Sequence, residues 1–267
     1  MIRLDPNLVV AARAGDRAAL ERLIHAAQRP IYNLAMRMLA NPTDAEDAAQ
    51  EILVKIVTHL GTLREPGAAG AWAMRLACRH LVNLKRIGRV EAMRLSFEGF
   101  AEDLDAGATE PPVADMTEAE FALAIKQVKI GCTLAMLVCL SRELRIAYVL
   151  GDVLELSERE AADVLEIATA TYRQRLKRAR DKVSNFMLKS CGLASETATC
   201  RCTRRIAPAL AQGRIRQGED QYETGAEGSN IATAVHDLDA ARRAAALMRS
   251  NPDFPTNVGK LTLHVMD

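Results

Sequence analysis

The chain has 267 residues, 49% of them hydrophobic, which is enough to bury a sizeable core and excludes disorder as its main state. Thirty-five Lys and Arg stand against 34 Asp and Glu, so the net charge of +1 excludes no class of partner and the placement of the charges has to carry that argument. Aromatic residues make up only 4%, and a composition poor in strand formers and rich in Ala, Leu, Arg and Glu predicts an all-α protein.

Over residues 8–39 apolar side chains recur at helical spacing (Leu20, Leu23, Ile24, then Ile31, Leu34, Ala35, Met38), and Gly15 and Pro30 interrupt them, predicting two helices. Asn41-Pro42-Thr43 stops the chain. Thr43 with Glu46 three residues on reads as a capping box, backed by Asp44 and Asp47 in a first helical turn, so a third helix starts there. Its inner stripe is Ile52, Leu53, Ile56, Val57 and Leu60, with Asp47, Gln50, Glu51 and Lys55 elsewhere on the cylinder. Residues 61–70 hold Pro66 and several glycines and form a loop; residues 71–86 then read as a helix with Trp72, Leu76 and Leu84 inward, completing a four-helix unit that ends near Gly88.

Charge segregates after this point. Residues 75–94 carry six bases (75, 79, 85, 86, 89, 94) against the single acid Glu91, whereas residues 98–120 carry eight acids and no base, with Gly107, Pro111 and Pro112 among them. The acidic stretch has the composition of a solvated linker, giving expected domains at 1–90 and 119–188 joined by a linker over 91–118. Beyond residue 189 the texture changes to cysteines, a Gly- and Gln-rich loop over 212–229 and an Ala-rich helix near 232–249, marking 189–267 as a C-terminal extension.

In the second domain Ser157 with Glu160 three residues on opens a short helix, Ile167-Ala168-Thr169 turns the chain, and Thr169 caps a second helix. Tyr172, Leu176, Ala179 and Val183 form one apolar stripe on that helix, which leaves Arg173, Gln174, Lys177 and Arg178 on the opposite face, able to hydrogen-bond base edges and neutralise phosphates. Six bases and one acid lie within residues 173–182. Two short helices, the second basic and amphipathic, make a helix-turn-helix; the alternative is a helical hairpin with a charged outer face.

The segment Asn41-Pro42-Thr43-Asp44-Ala45-Glu46-Asp47-Ala48-Ala49-Gln50-Glu51, followed by Trp72-Ala73-Met74-Arg75-Leu76-Ala77, resembles region 2 of bacterial extracytoplasmic-function (ECF) sigma factors. Leu156 to Ala161, with Tyr172-Arg173-Gln174-Arg175-Leu176-Lys177-Arg178-Ala179-Arg180, resembles their region 4. The likeness covers residues 8–90 and 119–188, in the family's order and spacing. It departs in the turn, where the family usually has Gly and this chain has Glu166; a non-Gly residue in a left-handed turn costs about 1 kcal/mol.

The resemblance implies a sigma factor that brings core RNA polymerase to promoter DNA. It assigns polymerase docking to Asp47, Gln50 and Glu51, which the helix dipole also explains. It assigns the −10 element to Arg75, Arg79, His80 and Asn83, with Arg64 in the preceding loop, where an unstacked base needs a pocket. It assigns the −35 element to Thr169, Arg173, Gln174, Lys177 and Arg178. Trp72 is either a stacking platform or a core residue, and the acidic stretch either a mimic of RNA in the polymerase channel or a spacer. A free-standing helix-turn-helix regulator is the alternative, and whether a separate anti-sigma factor or the extension silences the protein stays open.

With no Gly-rich phosphate loop and no His-Glu-x-x-His, no catalytic site is expected. With no apolar run approaching bilayer length and a charged N-terminus, the expectation is a cytoplasmic protein without membrane insertion. Six cysteines in a reducing compartment do not form a disulfide framework. Cys78, Cys132 and Cys139 read as small core residues. Cys191, Cys200 and Cys202 cluster in the extension and read as ligands for Zn or Cu, with His236 or His264 as distant further ligands, or as thiols that gate promoter binding, or as idle structural residues. No cofactor is otherwise required.

Overall fold

The structure, a computed structural model, describes residues 2–85, 88–93, 95–106, 116–222 and 240–259, and these form eleven α-helices and no strand. Helix α1 (Pro6–Arg13) is capped by Asp5 and followed by α2 (Arg17–Leu39), with Gly15 at φ +94° making the break between them. Pro30 does not interrupt α2, contrary to the sequence reading. The buried stripe of Ile24, Ala27, Ile31, Leu34 and Met38 runs past it, and this burial outweighs the roughly 3 kcal/mol that an interior proline costs.

Helix α3 (Pro42–His59) begins differently from its expected capping box. Asn41, not Thr43, is the N-cap and accepts from the Asp44 amide at 3.0 Å, with Pro42 preset at the first helical position. Asp44 is thereby turned inward, where its carboxylate accepts from the Arg89 amide at 2.6 Å. Two short 3-10 turns, Leu60–Thr62 and Pro66–Ala68, fill the loop before α4 (Ala69–Val82). Helix α4 starts two residues earlier than expected and ends at Val82, short of residue 86.

The acidic stretch is not a plain solvated spacer. Residues Phe97–Ala106 form α5, which buries Phe100 and Leu104 and stacks Phe100 on Phe186 with ring centroids 5.2 Å apart. Glu98, Glu102 and Asp105 stay exposed on its far side, so the helix is amphipathic and its charge is an outer face. Just upstream, Glu91 accepts from Arg142 at 2.5 and 3.0 Å and from Arg145 at 2.9 Å. Burial pushes the Glu91 carboxyl up, but the Arg142 hydrogen bonds and the Arg145 charge outweigh it and hold it below the usual carboxylate range. Arg145, itself buried, also donates to the carbonyls of Leu137, Val138, Leu140 and Met38, tying α2 to the second half of the chain. Residues 107–115 lie outside the described residues.

Helix α6 (Glu118–Val138) opens on a complete capping box between Thr117 and Glu120. Its mean hydropathy reaches 1.6 over 18 residues, so by length and composition it could cross a bilayer, contrary to the expectation that no segment approaches that. Here Ile130, Leu134 and Leu137 are buried in the protein core. Helix α7 (Arg142–Tyr148) runs on through a π-helical turn, Val149–Val153, to α8 (Glu158–Leu165) and α9 (Thr169–Ser190). Gly151 in that turn faces Tyr172, and a Cβ there would come within 2.5 Å of the tyrosine oxygen.

The extension folds back on this framework. Helix α10 (Ile206–Ala211) packs on α6 through Ile206 and Ala209, with Ile215 beyond it in the same cluster, and α11 (Ala240–Arg249) packs on α9. Residues 223–239, hence much of the expected loop and the start of the expected helix, lie outside the described residues. One continuous core joins residues of α2, α3 and α4 to residues of α6, α7 and α9, and Phe254 of the extension belongs to it.

Candidate nucleic-acid interface

The helix-turn-helix is built by local chemistry. Ser157 Oγ accepts from the Glu160 amide at 3.3 Å while the Glu160 carboxylate accepts from the Ser157 amide at 2.9 Å, starting α8. Glu166 ends it in the left-handed conformation at φ +55°. Thr169 does not cap α9 as expected: Ala168 holds the cap position in extended backbone, its methyl group can accept no hydrogen bond, and Thr169 is the first helical residue, half-buried. Tyr172, Leu176, Ala179 and Val183 are buried, and Tyr172 donates to the Ala147 carbonyl at 3.1 Å.

That buried stripe turns Arg173, Gln174, Lys177 and Arg178 to solvent together, at the one- and four-residue spacing that puts them on one helix face. Arg173 keeps 61% of its side chain exposed and lies 2.7 Å from Glu158, an exchangeable surface pair, and Lys177 pairs with Asp181 at 2.7 Å. Arg180 differs: it grips Asp152 bidentately at 2.6 to 3.1 Å, anchoring α9 to the π-helical turn.

The residues expected on the −10 side separate. Arg64 and Asn83 are exposed, Arg79 is exposed and Arg75 half-buried. Arg79 donates to the Glu166 carboxylate, and Arg75 lies 3.9 Å from the same group, so both arginines meet the end of α8. His80, expected on the DNA face, has only 7% of its side chain exposed and sits between α4 and α3, with Nδ1 2.7 Å from Lys55 Nζ and Nε2 3.5 Å from Glu51. Burial, reinforced by the Lys55 charge and opposed by Glu51, pushes its pKa down, which favours the neutral ring as acceptor of a Lys55 proton. Trp72 packs half-buried against the continuous core and against the smaller cluster of Val9, Leu23, Leu60 and Leu63, as a core residue does. Asp47, Gln50 and Glu51 share the outer face of α3, opposite buried Ala45, Ala48, Ala49 and Ile52.

In the extension, Cys191 and Cys200 face each other in an isolated parallel bridge, with the Gly192 amide donating to the Cys200 carbonyl at 3.1 Å. Cys132 of α6, read from the sequence as a plain core residue, joins them and Cys202 around a cavity of about 530 Å³. Burial raises all four thiols, Cys202 to about 12. The expected Zn or Cu site at Cys191, Cys200 and Cys202 is not supported: no group of three or more His, Cys, Asp or Glu among the described residues is arranged to hold a metal ion. Cys200 packs against the main core and Cys202 against the smaller cluster between α6 and α10. His236 and His264 lie outside the described residues.

A capped helix-turn-helix with a solvent-facing basic second helix, packed on a helical bundle with a basic helix of its own, has the architecture of a helical DNA-binding protein. The family profile for Sigma-70 region 2 matches residues 23–88, and that for Sigma-70, region 4 matches residues 130–183. The chain is 29% identical over 189 residues to the ECF RNA polymerase sigma factor SigE of Mycolicibacterium smegmatis, covering 69% of this chain and 67% of the relative. It is 28% identical to the RNA polymerase sigma-H factor of Pseudomonas aeruginosa and 25% to the ECF RNA polymerase sigma-E factor of Escherichia coli, in each case over 68% of this chain and 93% of the relative. The two region matches and these relatives together support an ECF factor of the sigma-70 family.

Proposed function

We propose that α9 reads the −35 element through Arg173, Gln174, Lys177 and Arg178, with Thr169 at its leading end, while α4 and the loop before it engage the −10 element through Arg64, Arg75, Arg79 and Asn83. The protein is an alternative sigma factor, a subunit that directs RNA polymerase to promoters. The polymerase core docks on Asp47, Gln50 and Glu51, and the complex works in the cytoplasm. His80 serves this scheme as a positioning residue, holding α4 against Lys55 and Glu51 of α3. The subunit itself carries out no catalysis, and it requires no cofactor.

The observation that carries this reading is the split of α9 into a fully buried stripe and four polar or basic side chains on the opposite face. Arginine can pair bidentately with guanine and glutamine with adenine, while lysine and further arginine neutralise phosphates. Holding such a helix with its apolar face against α7 and α8 leaves only this side available to a major groove. Run-off transcription with purified core polymerase tests it. The full chain is expected to direct initiation from a discrete set of promoters, and Arg173→Ala or Arg178→Ala to relax base preference upstream. Promoter binding as a dimer with no polymerase dependence would instead identify a free-standing regulator.

A further inference from the structure

Glu166 stands where the family resemblance leads one to expect glycine, in a left-handed turn that disfavours a side chain. Its carboxylate gains something no glycine could supply: a hydrogen bond from Arg79 and proximity to Arg75, 3.9 Å away. Those guanidiniums belong to α4, so a carboxylate from the helix-turn-helix meets the basic side chains of the helix read as the −10 contact. The fit is incomplete, since the Arg75 Nε is buried without a hydrogen-bond partner among the described residues.

The extension reinforces the same closure. Arg249 of α11 donates to the Asp152 carbonyl at 2.6 Å and Thr133 of α6 donates to Asn251 at 2.9 Å, both on the second half of the molecule. The chain then crosses to α2, where the Phe254 amide donates to Asn33 at 2.7 Å and the Gly259 amide to Gln28 at 2.8 Å. Phe254 is buried as the anchor of this strap, with the Arg37 guanidinium 6.0 Å from its ring centroid.

We propose that Glu166 is an internal stand-in for nucleic-acid phosphate and that, with residues 251–259 strapped across both halves, it holds the free chain in a closed state in which α4 is unavailable to DNA. The inference rests on the reading of α4 as a DNA-binding helix. The contact is a pair of exposed charges, each weak on its own, so the latch biases access by a few-fold and yields to a polyanion that brings many charges at once.

The test uses the full-length chain and single-stranded oligo(dT) of roughly 20 nucleotides, read by fluorescence anisotropy, together with hydrogen exchange of the α4 and α8 amides. Glu166→Gln is compared with Asp163→Asn, which removes the same charge from the same helix. The expected result is exchange that quickens only in Glu166→Gln, and oligo(dT) binding about threefold tighter than in Asp163→Asn. Phe254→Ala should shift both readouts in the same direction, and the reversed pair Arg79→Glu with Glu166→Arg should restore slow exchange. Identical exchange and binding in Glu166→Gln and Asp163→Asn overturns the latch. If Glu166→Gln quickens exchange but adding Arg79→Ala leaves oligo(dT) binding unchanged, the contact stands and the reading of α4 as a DNA helix fails, taking the autoinhibitory role with it.

Discussion

Helix α9 turns Arg173, Gln174, Lys177 and Arg178 to solvent, whereas α4, comparably rich in bases, has Arg79 and Arg75 facing a carboxylate from the other half of the molecule. The sequences of the two helices do not foretell this difference, because each is basic and each has an apolar stripe. What separates them is position. Both helices pack on α8, but the residue that ends α8, Glu166, sets its carboxylate against the polar side of α4. A basic helix is therefore a candidate for DNA by composition and an available one only by its neighbours, and in this molecule the same turn that sets the angle of the recognition helix also meets the second basic helix.

The largest effect is expected at the junction that holds the two halves in this relation. Arg145→Met removes the donor shared by four backbone carbonyls and Glu91 and leaves a buried network unsatisfied, which should cost about 3 to 5 kcal/mol. Chemical denaturation is expected to show the lower midpoint. On the open helix, Arg173→Ala or Arg178→Ala should each lose about 1 to 3 kcal/mol of promoter affinity and relax preference at one position of the −35 element, measured by competition among promoter variants.

A smaller effect distinguishes two bases of the same helix. Lys177→Ala should lower the slope of log affinity against log salt by about one unit, while Arg180→Ala, whose guanidinium is held by Asp152, should leave the slope unchanged and lower thermal stability instead. The smallest effect concerns pH. The Glu91 carboxyl titrates below its ordinary 4.5 in the folded chain, so its contribution to stability is present above pH 4.5 and is lost as pH falls through the folded value. The stability gap between wild type and Glu91→Gln should accordingly narrow on acidification below 4.5, as read from denaturation midpoints.

Features encoded within one turn of helix were legible from the residues. Ser157 with Glu160 announces the start of α8, and the Tyr172 to Val183 stripe announces which side of α9 faces in, since both follow from i,i+3 and i,i+4 geometry. Where two local signals compete, pattern alone does not choose: Asn41 and Thr43 are both good caps, and Pro42 after Asn41 decides between them. Helix α5 was hidden because a dense row of acids masks the spacing of Phe97, Phe100 and Leu104. The meeting of Arg79 with Glu166, 87 residues apart, and of Cys132 with the cysteines of the extension, depends on tertiary packing for which no local pattern codes. Glu166 did leave one trace in the sequence, as a residue placed where the backbone prefers glycine.

The most direct measurement is transcription by core RNA polymerase carrying the full chain on a library of promoters randomised in the −35 and −10 elements. Promoter selectivity that depends on this subunit, with the preference relaxed by Arg178→Ala confined to the upstream element, is the predicted result. An unchanged promoter profile in the presence and absence of the chain, or an Arg178→Ala effect spread evenly over both elements, would contradict the account.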